Sequence, residues 1–129
     1  MTLLFNSLAQ KFENEKFLVS GISSVGKEMY SGFSQRNIEI VWDDMHGMLN
    51  KSRAAVVNSG TATLETALLN VPQVVCYKTS WLTYSIAKRL VKLKWISPVN
   101  ISLNRGALKE LIQAECNERL VGDELEKLI

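Results

Sequence analysis

The segment Asn58-Ser59-Gly60-Thr61-Ala62-Thr63-Leu64-Glu65 has the residue types and spacing to hold a phosphorylated ribonucleoside. It follows the apolar run Ala54–Val57 and opens a helix-like one. A glycine at 60 lets the backbone turn tightly and approach an anion. The amides of Gly60, Thr61 and Ala62 are then the unpaired donors of a helix start, aimed at phosphate oxygens. Ser59 and Thr61 add hydroxyls. Glu65 stands one turn after Thr61 on the same face, and helical side chains lean toward the N-terminus. Its carboxylate thus reaches a sugar beside the phosphate and accepts hydrogen bonds from a diol. A serine N-cap followed by a solvated glutamate accounts for the same residues, so spacing alone leaves both readings open.

A second loop, Gly21-Ile-Ser-Ser-Val-Gly26-Lys27-Glu28, fits G-x-x-x-x-G-K. Glu28, however, stands where a P-loop needs the hydroxyl that ligates magnesium. A flexible Gly/Ser loop is the plainer reading, with ligand contact through backbone amides as the alternative. One histidine, His46, and two cysteines, Cys76 and Cys116, without metal-type spacing predict no metal site and no disulfide framework. No cofactor is expected.

These loops need elements to position them. Leu4, Leu8 and Phe12 predict a helix over 2–14, followed by a strand over 16–20 ending at Gly21. A weak helix is expected near 26–35, then an alternating strand over 37–42. Asp43 or Asp44 is placed to cap a helix over 44–52. A strand over 53–58, a helix over 60–70 ending before Pro72, and a strand over 73–77 follow. A long amphipathic helix spans 80–94, Pro98 breaks the next segment, and two helices near 106–115 and 118–129 close the chain. Alternating strands and helices predict an α/β fold, a Rossmann-like parallel sheet with helices on both faces. Ligands in such sheets sit beyond the carboxyl ends of the strands.

The length of 129 residues, with 47% hydrophobic and 22% charged, suits one domain or a large piece of one and excludes disorder and coiled coil. No apolar run reaches the ~18 residues a membrane span needs. The segment after Met1 lacks a signal-peptide pattern, so the expected compartment is cytoplasmic. The net charge of +2 hides a segregation. Residues 66–109 carry Lys78, Lys88, Arg89, Lys92, Lys94, Arg105 and Lys109 and no acid. Such a stretch suggests a surface that meets phosphate, anionic lipid or nucleic acid.

The strings SGTATLETALLNVPQVVCYK, SWLTYSIAKRLVK and NISLNRGALKELIQAEC, in that order, resemble lipid-A-disaccharide synthase. That family comprises GT-B glycosyltransferases of lipid A assembly in Gram-negative bacteria. The resemblance is specific over about 54–116 and reads the KELIQAEC segment as a helix. It implies that residues 1–129 are the C-terminal, nucleotide-sugar-binding half of a GT-B enzyme. The family reaction joins UDP-2,3-diacylglucosamine to 2,3-diacylglucosamine 1-phosphate and releases UDP. By this resemblance Ser59, Gly60, Thr61 and Ala62 approach the diphosphate and Glu65 holds the ribose. Asn100 and Arg105 then face the donor and its phosphates, for which an arginine fork suits. Asn104 replaces an expected glycine, and Gly106 an expected acid; an asparagine still tolerates a left-handed backbone. The acceptor site and catalytic base belong to the N-terminal half, which nothing here resembles. No catalytic residue is assigned, and the expectation is a chain that alone binds UDP weakly and does not transfer sugar.

On the helix over 80–94, Leu82, Ile86, Leu90 and Leu93 form one stripe, expected to be core. A second stripe carries Trp81, Tyr84, Lys88 and Lys92, suited to an anionic membrane surface, such as the cytoplasmic face of the inner membrane, to the missing N-terminal domain, or simply to solvent. His46 is expected on a helix surface, with a uracil contact as its functional alternative. Cys76 is expected to be an inert strand residue, and Glu118, Asp123, Glu124 and Glu126 a solvated face. Two rival functions remain: another UDP-sugar GT-B transferase, such as a relative of the peptidoglycan N-acetylglucosaminyl transferase, or a non-catalytic nucleotide-binding or regulatory module. Nucleic-acid binding is not expected, because the basic stretch mixes helix, loop and strand and holds no recognition motif.

Overall fold

The alternation of apolar runs and amphipathic segments is realised as two parallel sheets, one in each of two units, Met1–Ser52 and Arg53–Ile129. The structure is a computed structural model and describes residues 1–58, 60–90 and 94–129. Every strand pair among the described residues is parallel and helices accompany both sheets, so the fold is of the α/β, Rossmann-like kind.

In the first unit, helix α1 (Thr2–Lys11) buries Leu8 and Ala9. The Asn37 side-chain amide reaches the carbonyls of Ala9, Phe12 and Glu15 at 2.9, 3.2 and 2.9 Å. It thereby satisfies acceptors that a helix end leaves open. Strands β1 (Phe17–Gly21) and β2 (Ile38–Trp42) pair in register from Phe17 opposite Ile38 to Gly21 opposite Trp42. A Cβ at Gly21 would lie 2.6 Å from Ile40 Cγ2, so glycine permits that close approach. Asp44 caps helix α2 (Met45–Asn50) by accepting from Gly47 N at 2.9 Å. The weak helix expected near 26–35 is instead a pair of short 3-10 turns, Ser23–Val25 and Lys27–Tyr30. Gly26, at φ 96°, sits between them in a conformation no right-handed helix can contain.

In the second unit, strands β3 (Ala55–Asn58), β4 (Gln73–Tyr77) and β5 (Lys109–Ile112) form a sheet in that order. Val57 lies opposite Val75 and Cys76 opposite Leu111. Four consecutive residues of β4, Gln73–Cys76, are buried, as a central strand covered on both faces requires. Helices α3 (Thr61–Leu68) and α6 (Glu118–Leu128) pack on this sheet, and Val121 and Leu125 complete the core. Asn70, at φ 56°, turns the chain out of α3 ahead of Pro72. Asn117 caps α6 by accepting from Leu120 N at 3.0 Å.

Two expectations fail here. The helix predicted near 106–115, including the KELIQAEC segment, is β5 followed by a 3-10 turn, Gln113–Glu115. Lys, Glu and Leu favour helix locally, but pairing with β4 buries Leu111 to 2% exposure, and burial outweighs propensity. Pro98 starts rather than only breaks a segment: it opens helix α5 (Pro98–Leu103), capped by Ser97. Helix α4 is described over Trp81–Leu90, and the remainder of the stretch predicted to 94 includes residues outside the described ones.

Candidate functional site

The β3–α3 junction puts the proposed phosphate loop at the carboxyl end of a parallel strand. Gly60, at φ 137° and ψ −159°, makes the turn in a region that side chains avoid. Its carbonyl accepts from Thr63 N at 3.1 Å and from Thr63 Oγ1 at 2.7 Å. Thr63 is fully buried, and its own carbonyl accepts from Gln73 Nε2 at 2.9 Å. The start of α3 is thus pinned to β4 from below. Among the described residues no side chain caps α3, whereas Asp44, Ser97 and Asn117 cap α2, α5 and α6. Thr61 is exposed and Ala62 half-buried. Glu65 is half-buried one turn along α3. Ser59 lies outside the described residues.

The other glycine-rich loop is differently committed. Ile22 N donates to Tyr30 Oη and Ser23 N to Asp43 Oδ1, both at 3.0 Å. These amides, which a phosphate cradle would use, already have acceptors. Ser23, through its hydroxyl and amide, holds the Asp43 carboxyl below its ordinary range. The Tyr30 ring meets Trp42 edge-on at 4.9 Å. His46 is exposed on α2.

Asn100 and Arg105 frame the α5–β5 connection. Asn100 is fully buried. Its Nδ2 donates to Leu108 O at 2.9 Å and to Glu110 Oε1 at 2.8 Å, while its Oδ1 accepts from Leu108 N at 2.8 Å. Both amide hydrogens are therefore spent within the chain. Glu110 also accepts from the amides of Ile96 and Ser97, each at 2.9 Å. Partial burial pushes the Glu110 carboxyl up, but the donors of Ile96, Ser97 and Asn100 outweigh it, and the net shift is downward. Asn104 takes the left-handed conformation, φ 48° and ψ 37°, that its place in the loop demands. Arg105 follows it, exposed. A Cβ at Gly106 would fall 2.7 Å from the Trp95 ring, which accounts for glycine at that position. Sequence reasoning missed Glu110, because it read the segment as helix and a helical register hides the partners a strand provides. Helix α5 packs on α3, so this connection belongs to the same unit as the β3–α3 loop.

Helix α4 corrects a further expectation. Leu82 and Ile86, predicted as core, are 65% and 50% exposed. Tyr84, assigned to the outward stripe, is half-buried, while Trp81 is 78% exposed and Lys88 is exposed. Among the described side chains of α4 only Tyr84 and Ser85 are half-buried, so Leu82 and Ile86 are not core residues of this unit. Lys88 Nζ sits 5.9 Å from the Tyr84 ring centroid. Lys92 and Leu93 lie outside the described residues.

Cys76 is buried in β4, and burial, with the neighbouring Cys116, pushes its thiol up to about 12. Of the C-terminal acids, Glu118 and Glu126 are exposed, while Asp123 and Glu124 are half-buried and Glu124 pairs with Lys127 at 2.7 Å. Among the described residues no helix is long and apolar enough to cross a membrane.

Compared with known proteins, the chain is 33% identical over 135 aligned positions to the lipid-A-disaccharide synthase of Acinetobacter baylyi, covering 95% of this chain and 34% of that protein. The enzyme of the same name from Anaeromyxobacter dehalogenans is 43% identical over 82 residues, 64% of this chain and 21% of that protein. That of Synechocystis is 54% identical over 63 residues, 47% and 16% respectively. The chain spans about a third or less of the length of these curated relatives. It matches the lipid-A-disaccharide synthetase family over residues 4–129, nearly its whole length, and it belongs to that family.

Proposed function

We propose that this chain is the donor-binding part of a lipid-A-disaccharide synthase, a GT-B hexosyltransferase whose acceptor-binding N-terminal domain lies elsewhere. The observation that carries the reading is the start of α3 behind Gly60, which no side chain among the described residues caps, with Glu65 one turn further on, in a chain of this family. The Thr61 and Ala62 amides bind the diphosphate of UDP-2,3-diacylglucosamine, with Ser59 as a further hydroxyl, and Glu65 accepts from the ribose hydroxyls. Arg105 supplies the fixed cation of the donor site, and Asn100 acts through the loop it closes rather than by direct contact.

The chemistry asks two things of the enzyme. The bond from the anomeric carbon to the diphosphate breaks, so the departing UDP needs positive charge and amide donors. The acceptor hydroxyl of 2,3-diacylglucosamine 1-phosphate forms the new β-1,6 bond and gives its proton to a base. The first requirement is met by Gly60–Ala62 and Arg105. The second falls to the other domain, so this chain alone binds UDP and forms no disaccharide. Both substrates are acylated, which places the enzyme at the cytoplasmic face of a membrane as a peripheral protein.

Calorimetry with UDP, 2′-deoxy-UDP, UMP and ADP tests the reading. UDP is expected to bind best, and Glu65→Ala to remove the preference for ribose over deoxyribose. ADP binding as tightly as UDP, or a ribose preference that survives Glu65→Ala, overturns the donor site. Disaccharide formed by the isolated chain overturns its assignment as the donor-binding part alone.

A further inference from the structure

The loop that carries Arg105 is held from outside itself. It joins α5 to β5 over residues 104–108, and Asn104, at φ 48°, takes a left-handed conformation that most side chains disfavour. Arg105 is fixed at both ends of its backbone. Its amide donates to Asn100 O at 3.3 Å, and its carbonyl accepts from Ala107 N at 2.9 Å. The Asn100 side chain closes the same loop further on, through Leu108 N and O. Asn100 thus sets the loop with its carbonyl at Arg105 and with its side-chain amide at Leu108. Glu110 in turn sets Asn100. Its Oε1 accepts from Asn100 Nδ2 at 2.8 Å and from Ser97 N at 2.9 Å, and its Oε2 accepts from Ile96 N at 2.9 Å. An ionised carboxylate presents acceptors at both oxygens, whereas a glutamine would turn an NH2 group toward some of these donors.

We propose that Glu110 is a positioning residue for the donor site: it fixes the Asn100 side chain and, through it, the place of Arg105 beside the donor diphosphate. This role rests on the donor-site reading above and adds to it a residue that acts through Asn100 rather than on the substrate. Capping of α5 does not account for Glu110, because Ser97 Oγ already fills that role by accepting from Asn100 N at 3.2 Å. Glu110 reaches past the backbone to the Asn100 side chain, the group that closes the Arg105 loop. A half-buried carboxylate forgoes hydration, and the donors converging on it offset that loss only while Asn100 keeps its orientation. Helix α5 also packs on α3, so the Arg105 loop and the start of α3 belong to one packed pair. A guanidinium fork bonds phosphate oxygens in a fixed geometry, and a small displacement of its loop weakens it.

The test is a double-variant cycle on the whole chain, read by calorimetry with UDP: parent, Glu110→Gln, Arg105→Gln and the two combined. Arg105→Gln is expected to weaken UDP binding about tenfold, the scale of one charge-assisted hydrogen bond. Glu110→Gln is expected to weaken it roughly fivefold, within the range of coupling through a shared network. The combined variant is expected to bind no more weakly than Arg105→Gln alone, while the urea midpoint falls with Glu110→Gln in both backgrounds. A carboxylate that only stabilises the fold would move the midpoint and leave the affinity of the folded chain unchanged. Glu110→Asp, which keeps two acceptor oxygens on a stem one methylene shorter, should recover part of the affinity, and it carries the cycle if Glu110→Gln does not fold. Unchanged UDP affinity in Glu110→Gln, beside a loss in Arg105→Gln, overturns the positioning role and leaves the donor site standing. Additive losses in the combined variant overturn it as well, since Glu110 would then act elsewhere than through Arg105. No effect of Arg105→Gln, or no UDP binding by the parent, overturns the donor-site reading and the positioning role with it.

Discussion

The Asn100 side chain donates to the Glu110 carboxylate at 2.8 Å, and through this bond a buried amide on α5 is tied to a strand ten residues later. Glu110 collects the Ile96 and Ser97 amides as well, so one carboxylate orders the whole entry into α5. Because these donors stabilise its charged form, its folded carboxyl lies below the ordinary 4.5. A depressed carboxyl contributes stability in full above its unfolded value, and that contribution is lost as pH falls through the folded value. Denaturant titrations at pH 7 and at steps below 4.5 should therefore show falling stability in the parent. Glu110→Gln should flatten that acid limb. An acid limb of unchanged steepness would remove Glu110 as its source.

Asn100→Ala leaves the Leu108 amide and carbonyl without their side-chain partner inside the unit. A loss of about 2–3 kcal/mol is expected from such a buried deletion, read from the urea midpoint. A loss below about 0.5 kcal/mol would show that water or a neighbour replaces the amide without cost.

Gly60→Ala probes backbone conformation alone. Among the described residues, its chain neighbours apart, nothing lies within 4 Å of the Cβ it would add, so the penalty expected is that of φ 137°. About 1–3 kcal/mol of destabilisation is expected, or a shift of the turn that relieves it. A shift of the turn displaces the Thr61 and Ala62 amides, and UDP affinity should then fall about tenfold or more, the scale of 1.4 kcal/mol. Unchanged UDP affinity in the variant would separate the turn from the ligand.

The thiol of Cys76, raised to about 12 and buried, stays protonated at neutral pH. Since the thiolate is the reactive form, alkylation of the native chain should be slow and should accelerate on adding urea. Rapid labelling of Cys76 in the native chain, located by mass spectrometry, would contradict its burial in β4.

Leu111 and Leu82 make a matched pair, apolar in sequence but 2% and 65% exposed. Leu111→Ala should cost about 2–5 kcal/mol. Leu82→Ser in the absence of lipid should stay within about 0.5 kcal/mol of the parent. Comparable losses in both would place Leu82 in the core after all.

Local chemistry determined much of this protein unaided. Gly60 and Pro72 bracket α3, one of Asp43 and Asp44 caps α2, and the run Val74–Tyr77 identifies a strand, because each rests on contacts within a few residues. The glycine turn into α3 was legible for the same reason, and the family resemblance read from this region agrees with the match over 4–129. Only tertiary structure decided the rest. KELI becomes a strand because β4 offers it a partner, and Glu110 then finds donors from Ile96, Ser97 and Asn100. Leu82 and Ile86 of α4 are exposed, because the packing of a helix, and not its periodicity, chooses which side meets the protein. Spacing along a chain reports which residues share a face, and long-range contact alone reports what that face touches.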